Sequence, residues 1–215
     1  MEYNIKDKLI MGGSVMKYLY KMGKQDIEKS ADVIAKAFYD YPMFQHILAD
    51  KLNHDNIKLF VKFLINYSIR YADAYAISKD MEGIILFTDY KHYKFSLVRS
   101  LRSGLLPLMK IGSDAGKRFN TFDRFTLEIH KKIMKENHQY IILLGVDPDK
   151  QGQGYGKRLI LPVLKMAEEK GQACYLETHG EENVLFYNKL GFKVVSEDTM
   201  PGTEIVQYAM VKEIG

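Results

Sequence analysis

Cysteine occurs once in 215 residues, at Cys174. No disulfide framework can form within the chain, which excludes the small stapled secreted scaffolds and fits a reducing compartment. Cys174 lies in the apolar run Ala173-Cys174-Tyr175-Leu176, so it reads as a small buried strand residue rather than a nucleophile. No run approaches the roughly 18–20 apolar residues of a membrane span. The segment Met1-Glu2-Tyr3-Asn4-Ile5-Lys6-Asp7 has no signal-peptide pattern. The cytoplasm is the expected location, with no membrane partner. Positive charge is not concentrated either. The formal net charge is +4, and the densest basic stretch (Lys91, Lys94, Arg99, Arg102, Lys110, Lys117, Arg118) is modest. Nucleic-acid binders gather basic residues on one face or arm, so no nucleic-acid partner is expected. No histidine pair has the spacing of a metal-ligating helix, so no metal is expected. His46, His54, His92 and His130 read as solvated or satisfied surface groups. A Gly-x-Ser-x-Gly elbow is missing, which argues against a serine hydrolase.

What is present is ordinary for a globular chain: 47% apolar and 27% charged residues. The length suits one domain, with or without an insertion. Residues 1–15 read as a flexible extension, and 16–215 as a single domain. Tyr18 to Met22 predicts a first strand. Ile27, Ala31, Ile34, Ala35 and Phe38 recur at helical spacing, and Asp40-Tyr41-Pro42 then breaks the chain. Ile57, Phe60, Val61, Leu64 and Ile65 mark a second helix. Ala74 to Ser78 and Gly83 to Thr88 predict two strands joined by a polar turn. Residues 91–137 are helical in composition and punctuated by Gly104, Pro107, Gly112 and Gly116; they form a helical insertion or a lid. Gln139 to Val146 is a nearly continuous apolar run, as in a strand covered on both faces. Tyr155 to Lys170 is an amphipathic helix bent at Pro162 and capped by Gly171. Ala173 to Thr178 is a strand, Glu181 to Leu190 a short helix, and Val194 to Ser196 and Glu204 to Val211 are closing strands. This order argues a mixed α/β fold with a central sheet.

Between the strand and the helix lies Gln151-Gly152-Gln153-Gly154-Tyr155-Gly156. Glycines let the backbone approach a ligand and adopt positive φ. The free N–H groups of such a turn and of the helix start make an anion site suited to a pyrophosphate. Lys157 and Arg158 add positive charge. Three phosphate motifs compete. The P-loop needs a glycine where Gln151 stands and a hydroxyl where Arg158 stands. The dinucleotide fingerprint needs a wider last spacing than Gly152, Gly154 and Gly156 give. The pattern Gln/Arg-x-x-Gly-x-Gly/Ala is matched at every position of 151–156.

With that turn, the chain resembles the GNAT superfamily of N-acetyltransferases. Leu143-Leu144-Gly145-Val146-Asp147-Pro148 is similar to the family's central strand and its exit. Asn183-Val184-Leu185-Phe186-Tyr187-Asn188-Lys189-Leu190-Gly191-Phe192 is similar to the block that follows. The match covers roughly residues 138–213. The resemblance implies a central mixed, mostly antiparallel sheet flanked by helices, with a helical insertion before the central strand. It implies acetyl-CoA as cosubstrate. The backbone of Leu144, Gly145 and Val146 would pair with the pantetheine arm like an added strand. Residues Gln151, Gly152, Gln153, Gly154, Tyr155, Gly156 and Lys157 would cradle the pyrophosphate. Asn183, Phe186 and Tyr187 would lie along the pantetheine and thioester.

The expected reaction is acetyl transfer to the primary amine of a small molecule by direct attack on the thioester. The Val146 N–H is the family-like donor to the developing oxyanion. Tyr187 would protonate the leaving thiolate. A base must take the amine's proton; Glu177, His138, His179, Asp40 and Glu128 are candidates, and Glu177, at a strand end beside the cleft, is preferred. Asp40, in the aromatic stretch Phe38 to Phe44, could meet a cationic amine. The alternatives are a protein lysine or N-terminal acetyltransferase, or a non-catalytic CoA-binding regulatory module. The protein is expected to act as a monomer or homodimer.

Overall fold

The computed structural model describes residues 15–94 and 96–214, so the expected extension lies outside the described residues except for Val15. Its strands are β1 Tyr20–Lys21, β2 Asp73–Ala76, β3 Gly83–Asp89, β4 Gln139–Val146, β5 Cys174–Thr178, β6 Lys193–Thr199 and β7 Val206–Lys212. Among the described residues these form one sheet in the order β1-β2-β3-β4-β5-β7-β6. Every neighbouring pair is antiparallel except β4–β5. The expected mixed, mostly antiparallel sheet is therefore what forms. Its helices are α1 Ile27–Ala37, α2 Pro42–Leu48, α3 His54–Tyr71, α4 Leu97–Arg102, α5 Leu105–Leu108, α6 Ser113–Ile133, α7 Tyr155–Glu169 and α8 Glu181–Asn188. No helix among the described residues is long and apolar enough to cross a membrane.

Period-2 alternation sorts β3 between two apolar layers. Ile84 and Leu86 pack with Ile34, Phe44, Ile57 and Phe122 from α1, α2, α3 and α6. Ile85 and Phe87 pack on the other face with Leu159, Ile160 and Val163 of α7 and with Tyr187. Both faces of the middle strands are thus covered, as the unbroken apolar run at 139–146 predicts. Cys174 is buried in the second layer, and burial pushes its thiol up to about 12, away from nucleophilic chemistry.

Several local readings need correction. The first strand is only Tyr20–Lys21, because Val15–Tyr18 winds into a 3-10 turn instead. Pro42 does not merely break the chain. It opens α2 at the first helical position, where its missing N–H costs no hydrogen bond. The next helix starts at His54, with the Asn53 side chain accepting from the Asn56 N–H at 2.9 Å. β6 runs on to Thr199, and β7 begins at Val206, because Pro201 to Thr203 form the turn between them.

The segment 91–137 carries α4, α5 and α6. Phe122 and Ile129 of α6 are buried, and the Arg118 side chain donates to the Ile47 carbonyl at 2.9 Å, tying α6 to α2. At the crossing of α1 over β4, a Cβ on Gly145 would lie 2.5 Å from Ile34 Cδ1 and 2.8 Å from Phe38 Cε2. Only glycine lets the helix sit that close. Gly145→Ala is expected to destabilise the fold by about 1–3 kcal/mol through overpacking. Urea unfolding checks it, and an unchanged midpoint would show that Ile34 and Phe38 yield freely.

Candidate active site

One extra residue shapes the centre of the sheet. Leu86 pairs with Leu143, but Phe87 pairs with Ile141, so Ile142 is a bulge in β4. A bulge bends its strand and raises the local twist. It also reverses the alternation: Ile141 faces the α7 layer, Leu143 the α1 layer, and Leu144 and Val146 again the α7 layer. The bend separates β4 from its parallel neighbour. β4 and β5 pair only at Gln139 with Cys174 and Tyr140 with Tyr175, and from Ile141 onward they part.

The register tells which peptide groups face that gap. Asp147 N–H donates to the Glu82 carbonyl at 2.9 Å. In an antiparallel ladder, hydrogen-bonded and non-bonded pairs alternate. Val146 opposite Gly83 and Leu144 opposite Ile85 are therefore the non-bonded pairs, and their peptide groups point away from β3, into the gap. The Gln151 amide reaches back to the Val146 carbonyl at 3.3 Å, leaving the N–H.

The Gly-rich turn closes one end of the gap. Gly152 and Gly154 have φ of 74° and 78°, and a Cβ on either would meet nothing within 4 Å. Open space above left-handed glycines is what a backbone anion cradle needs. Gly154 caps the start of α7, whose dipole adds to the cradle. Gly156 is glycine for another reason: a Cβ there would lie 3.2 Å from the Phe186 ring. Arg158 stacks over Tyr155, 5.0 Å from its ring centre.

A chamber of about 680 Å³ continues from this cradle through the gap, within the usual size of a small-molecule site. Leu144, Gly145, Val146, Gln151, Gly152 and Gly154 line its first part, with Tyr155, Gly156, Lys157, Asn183, Phe186 and Tyr187 beside them. Gln153 is the exception among the sequence-predicted residues; its side chain reaches the Asp149 carbonyl at 3.5 Å instead. Tyr187 is 8% exposed, packed between Phe186 and Phe192. Burial, and next the nearby Tyr41, raise its phenol above the ordinary range, so it holds its proton.

The far part of the chamber is built by α6 and the ends of β5 and β7. Phe119, Phe122, Asp123 and Thr126 of α6 line it, with Glu177, His179 and Gln207. Thr126 donates to Gln207 at 2.7 Å. Tyr41 accepts from the His179 N–H at 3.1 Å. Buried His179 is pushed down to about 4 and is neutral at pH 7. Its Nε2 and the Gln207 Nε2 are buried without a protein partner. Asp123 touches water along the chamber, yet burial raises its carboxyl, and the Glu177 charge adds to that.

Behind Glu177 stands an aromatic cluster. His130, 2% exposed, is stacked by Tyr90 at 4.3 Å and covered by the tilted ring of Tyr175 at 4.1 Å. Its reading as a surface group is wrong: residues 119, 122, 123, 126 and 130 share one face of α6, and that face is turned inward. His138 is buried beside it, outside the chamber lining. Glu128 and Asp40 are exposed and away from the chamber, which removes both as bases. Asp40 lies on the outer side of its turn, while neighbouring Tyr41 and Phe38 face inward. Asp123, Thr126, Tyr93 and Gln207 escaped the sequence reading. The one usable signal was Asp123, Thr126 and His130 at i, i+3 and i+7 among apolar residues.

Residues 126–194 match the Acetyltransferase (GNAT) domain family. An uncharacterized N-acetyltransferase of Schizosaccharomyces pombe is 27% identical over 179 residues, covering 78% of this chain and 71% of the relative. Among solved structures, an N-acetyltransferase from Staphylococcus aureus Mu50 superposes with a TM-score of 0.63 at 14% identity, over 90% of this chain and 98% of that one. Arylalkylamine N-acetyltransferase 2 from Aedes aegypti gives 0.61 at 16% identity, over 92% and 98%. At these identities the structural likeness is one of fold. Matched segment, sheet topology and parted central strands agree: over residues 126–194 the chain matches the GNAT acetyltransferases, and its fold is like theirs throughout.

Proposed function

We propose that the protein transfers the acetyl group of acetyl-CoA to a primary amine of a small molecule. One observation carries this reading: a single chamber joins the glycine cradle, through the gap between β4 and β5, to a pocket holding two carboxylates among aromatic rings. The Gly152 to Lys157 backbone would hold the pyrophosphate, and the outward peptide groups of Leu144 and Val146 would pair with the pantetheine arm. Acetyl-CoA supplies the activated acyl group. Asn183 would hydrogen-bond the arm near the thioester. The Val146 N–H, free of β3, would donate to the carbonyl oxygen as negative charge develops. Tyr187, whose proton is tightly held, would pass that proton or a hydrogen bond to the departing sulfur. In the far pocket, Asp123 would attract the ammonium form of the amine, and Glu177 would take its proton. Helix α6 walls the chamber with Phe119 and Phe122, which favours a small acceptor over a protein segment. The Aedes aegypti neighbour is an arylalkylamine N-acetyltransferase, which fits the same pocket chemistry.

A free-thiol release assay with acetyl-CoA and a panel of primary amines tests this. Amine-dependent release is expected from the wild type. Asp123→Asn should raise the amine KM on the order of tenfold, since a charged hydrogen bond is worth about 1.5–3 kcal/mol, with little change in acetyl-CoA binding. Tyr187→Phe should lower kcat. Tight acetyl-CoA binding without release for any amine would leave a CoA-binding module. Release with lysine peptides alone would move the acceptor to protein.

A further inference from the structure

Glu177 Oε1 lies 3.4 Å from His130 Nδ1 and has no hydrogen bond of ordinary geometry. His130 Nε2 lies 2.8 Å from His138 Nε2. His138 Nδ1 lies 2.8 Å from the Glu136 carbonyl. These three contacts form one chain, and each needs a proton between its two heavy atoms. The end members, a carboxylate and a carbonyl, accept only. Two neutral imidazoles bring one N–H each, so they serve two contacts of the three. Whichever tautomers are chosen, one contact sets lone pair against lone pair in a buried place, where an unmet polar contact is costly. The carbonyl fixes the order. His138 donates from Nδ1 and accepts at Nε2, and His130 donates from Nε2. The Nδ1 of His130 is then left facing Glu177.

We infer that a third proton occupies this contact: His130 is an imidazolium paired with an ionised Glu177, and the two histidines are a positioning device that keeps Glu177 a carboxylate. Two independent features agree. Tyr90 and Tyr175 cover the His130 ring at 4.3 and 4.1 Å, inclined by 29° and 32°, and aromatic faces favour a cation between them. Burial pushes His138 down to about 4, so it is the neutral acceptor that the chain requires.

The groups facing the pair are few. Tyr90 and Tyr93 come from the loop after β3, Tyr140 from β4, Tyr175 from β5, Asp123 from α6 and Tyr41 from the start of α2. Asp89 acts on His138. Burial first, with the Glu177 charge also contributing, raises the Tyr90, Tyr140 and Tyr175 phenols, so all stay neutral. Without a cationic partner, a carboxylate shut among aromatic rings favours its protonated form and cannot serve as a base.

The functional part of this inference rests on the acetyl-transfer reading above; the proton count does not. In the reaction, an ammonium N–H bond breaks and a Glu177 O–H bond forms. The freed lone pair attacks the acyl carbon, the C–S bond breaks, the departing sulfur takes the Tyr187 proton, and the nitrogen's surplus proton restores Tyr187; Glu177 returns its proton to water when the product leaves.

Long-range proton–nitrogen NMR of protein labelled with nitrogen-15 histidine, at pH 7 and without substrate, tests the protonation directly. His138 should be neutral with its proton on Nδ1, and His130 protonated on both nitrogens. In Glu177→Gln the amide NH2 can donate to Nδ1, so His130 should become neutral with its proton on Nε2. A neutral His130 in the wild type, or one unmoved by Glu177→Gln, overturns the assignment; the wild-type spectrum decides alone if the variant does not fold. For the positioning role, His130→Asn is assayed by thiol release with acetyl-CoA and benzylamine. Turnover should fall on the order of tenfold, a fraction of a full general-base effect, and recover relative to wild type as pH is raised. Wild-type turnover in His130→Asn overturns the role. If the wild type acetylates no amine while His130 is an imidazolium, the acetyl-transfer reading and the role fail together and the protonation stands.

Discussion

Glu177→Gln is expected to lower amine-dependent thiol release by about 10²–10⁴-fold, the range for a lost general base, with acetyl-CoA affinity retained. The substitution keeps the side chain's size and removes its basicity. Glu177 is held by β5, where it pairs with Ala209 of β7, so its position does not depend on the charge. The glycine cradle lies at the other end of the chamber and does not touch it. Asp123 is a poor substitute, because burial favours its protonated form. Calorimetric titration of acetyl-CoA and steady-state kinetics, run on the same preparation, separate the two effects. A loss below tenfold would transfer the proton to Asp123 or to water. A parallel loss of acetyl-CoA binding would show that the variant had damaged the chamber.

Acid is expected to destabilise the fold steeply between pH 6.5 and 4. Burial holds both His138 and His179 at about 4 in the folded protein, against 6.5 for an ordinary histidine. Their folded values are depressed, so below 6.5 the unfolded chain binds two protons that the folded chain refuses. Stability therefore falls as pH falls through this window and is fully present above it. Each ring accounts for about 3 kcal/mol at most, a large share of an ordinary domain's 5–15 kcal/mol. Thermal melting from pH 7 to pH 4 should show the drop. Removing the His179 imidazole, as in His179→Gln, should flatten the curve by roughly half of that amount. A melting temperature constant across the window would show that one or both rings titrate near 6.5.

The glycine-cradle end of the chamber was legible in the sequence, and the far end was not. The cradle at 151–156 and the block at 183–192 are local: a turn with positive φ needs glycine at fixed places, and a short helix after a strand carries its own signals. That the backbone of Leu144 to Val146 would accept an added strand was implied by resemblance, but the gap beside it and the extra residue at Ile142 that opens it are visible only in the register. The far pocket draws Tyr93, Asp123, Glu177 and Gln207 from segments that no spacing connects. His130 was misread for a related reason. Its sequence neighbours Lys131 and Lys132 are exposed, and only the facing β5 and loop aromatics turn that face of the helix into an interior. Asp40 failed the opposite way: its aromatic neighbours point inward, and its own side chain does not.

Helix α6 joins two tasks in one rod. Asp123 and His130 stand seven residues apart on it, about 10 Å along the axis, the first in the chamber and the second behind Glu177. Arg118, earlier on the same rod, is fastened to the end of α2. A tilt that tightens the hold on an incoming amine also changes the distance on which the charge of Glu177 depends. The segment 113–133 is therefore a cassette: exchanged as a unit for another sequence, it would carry the choice of acceptor and the strength of the base together, while leaving the glycine cradle as it is.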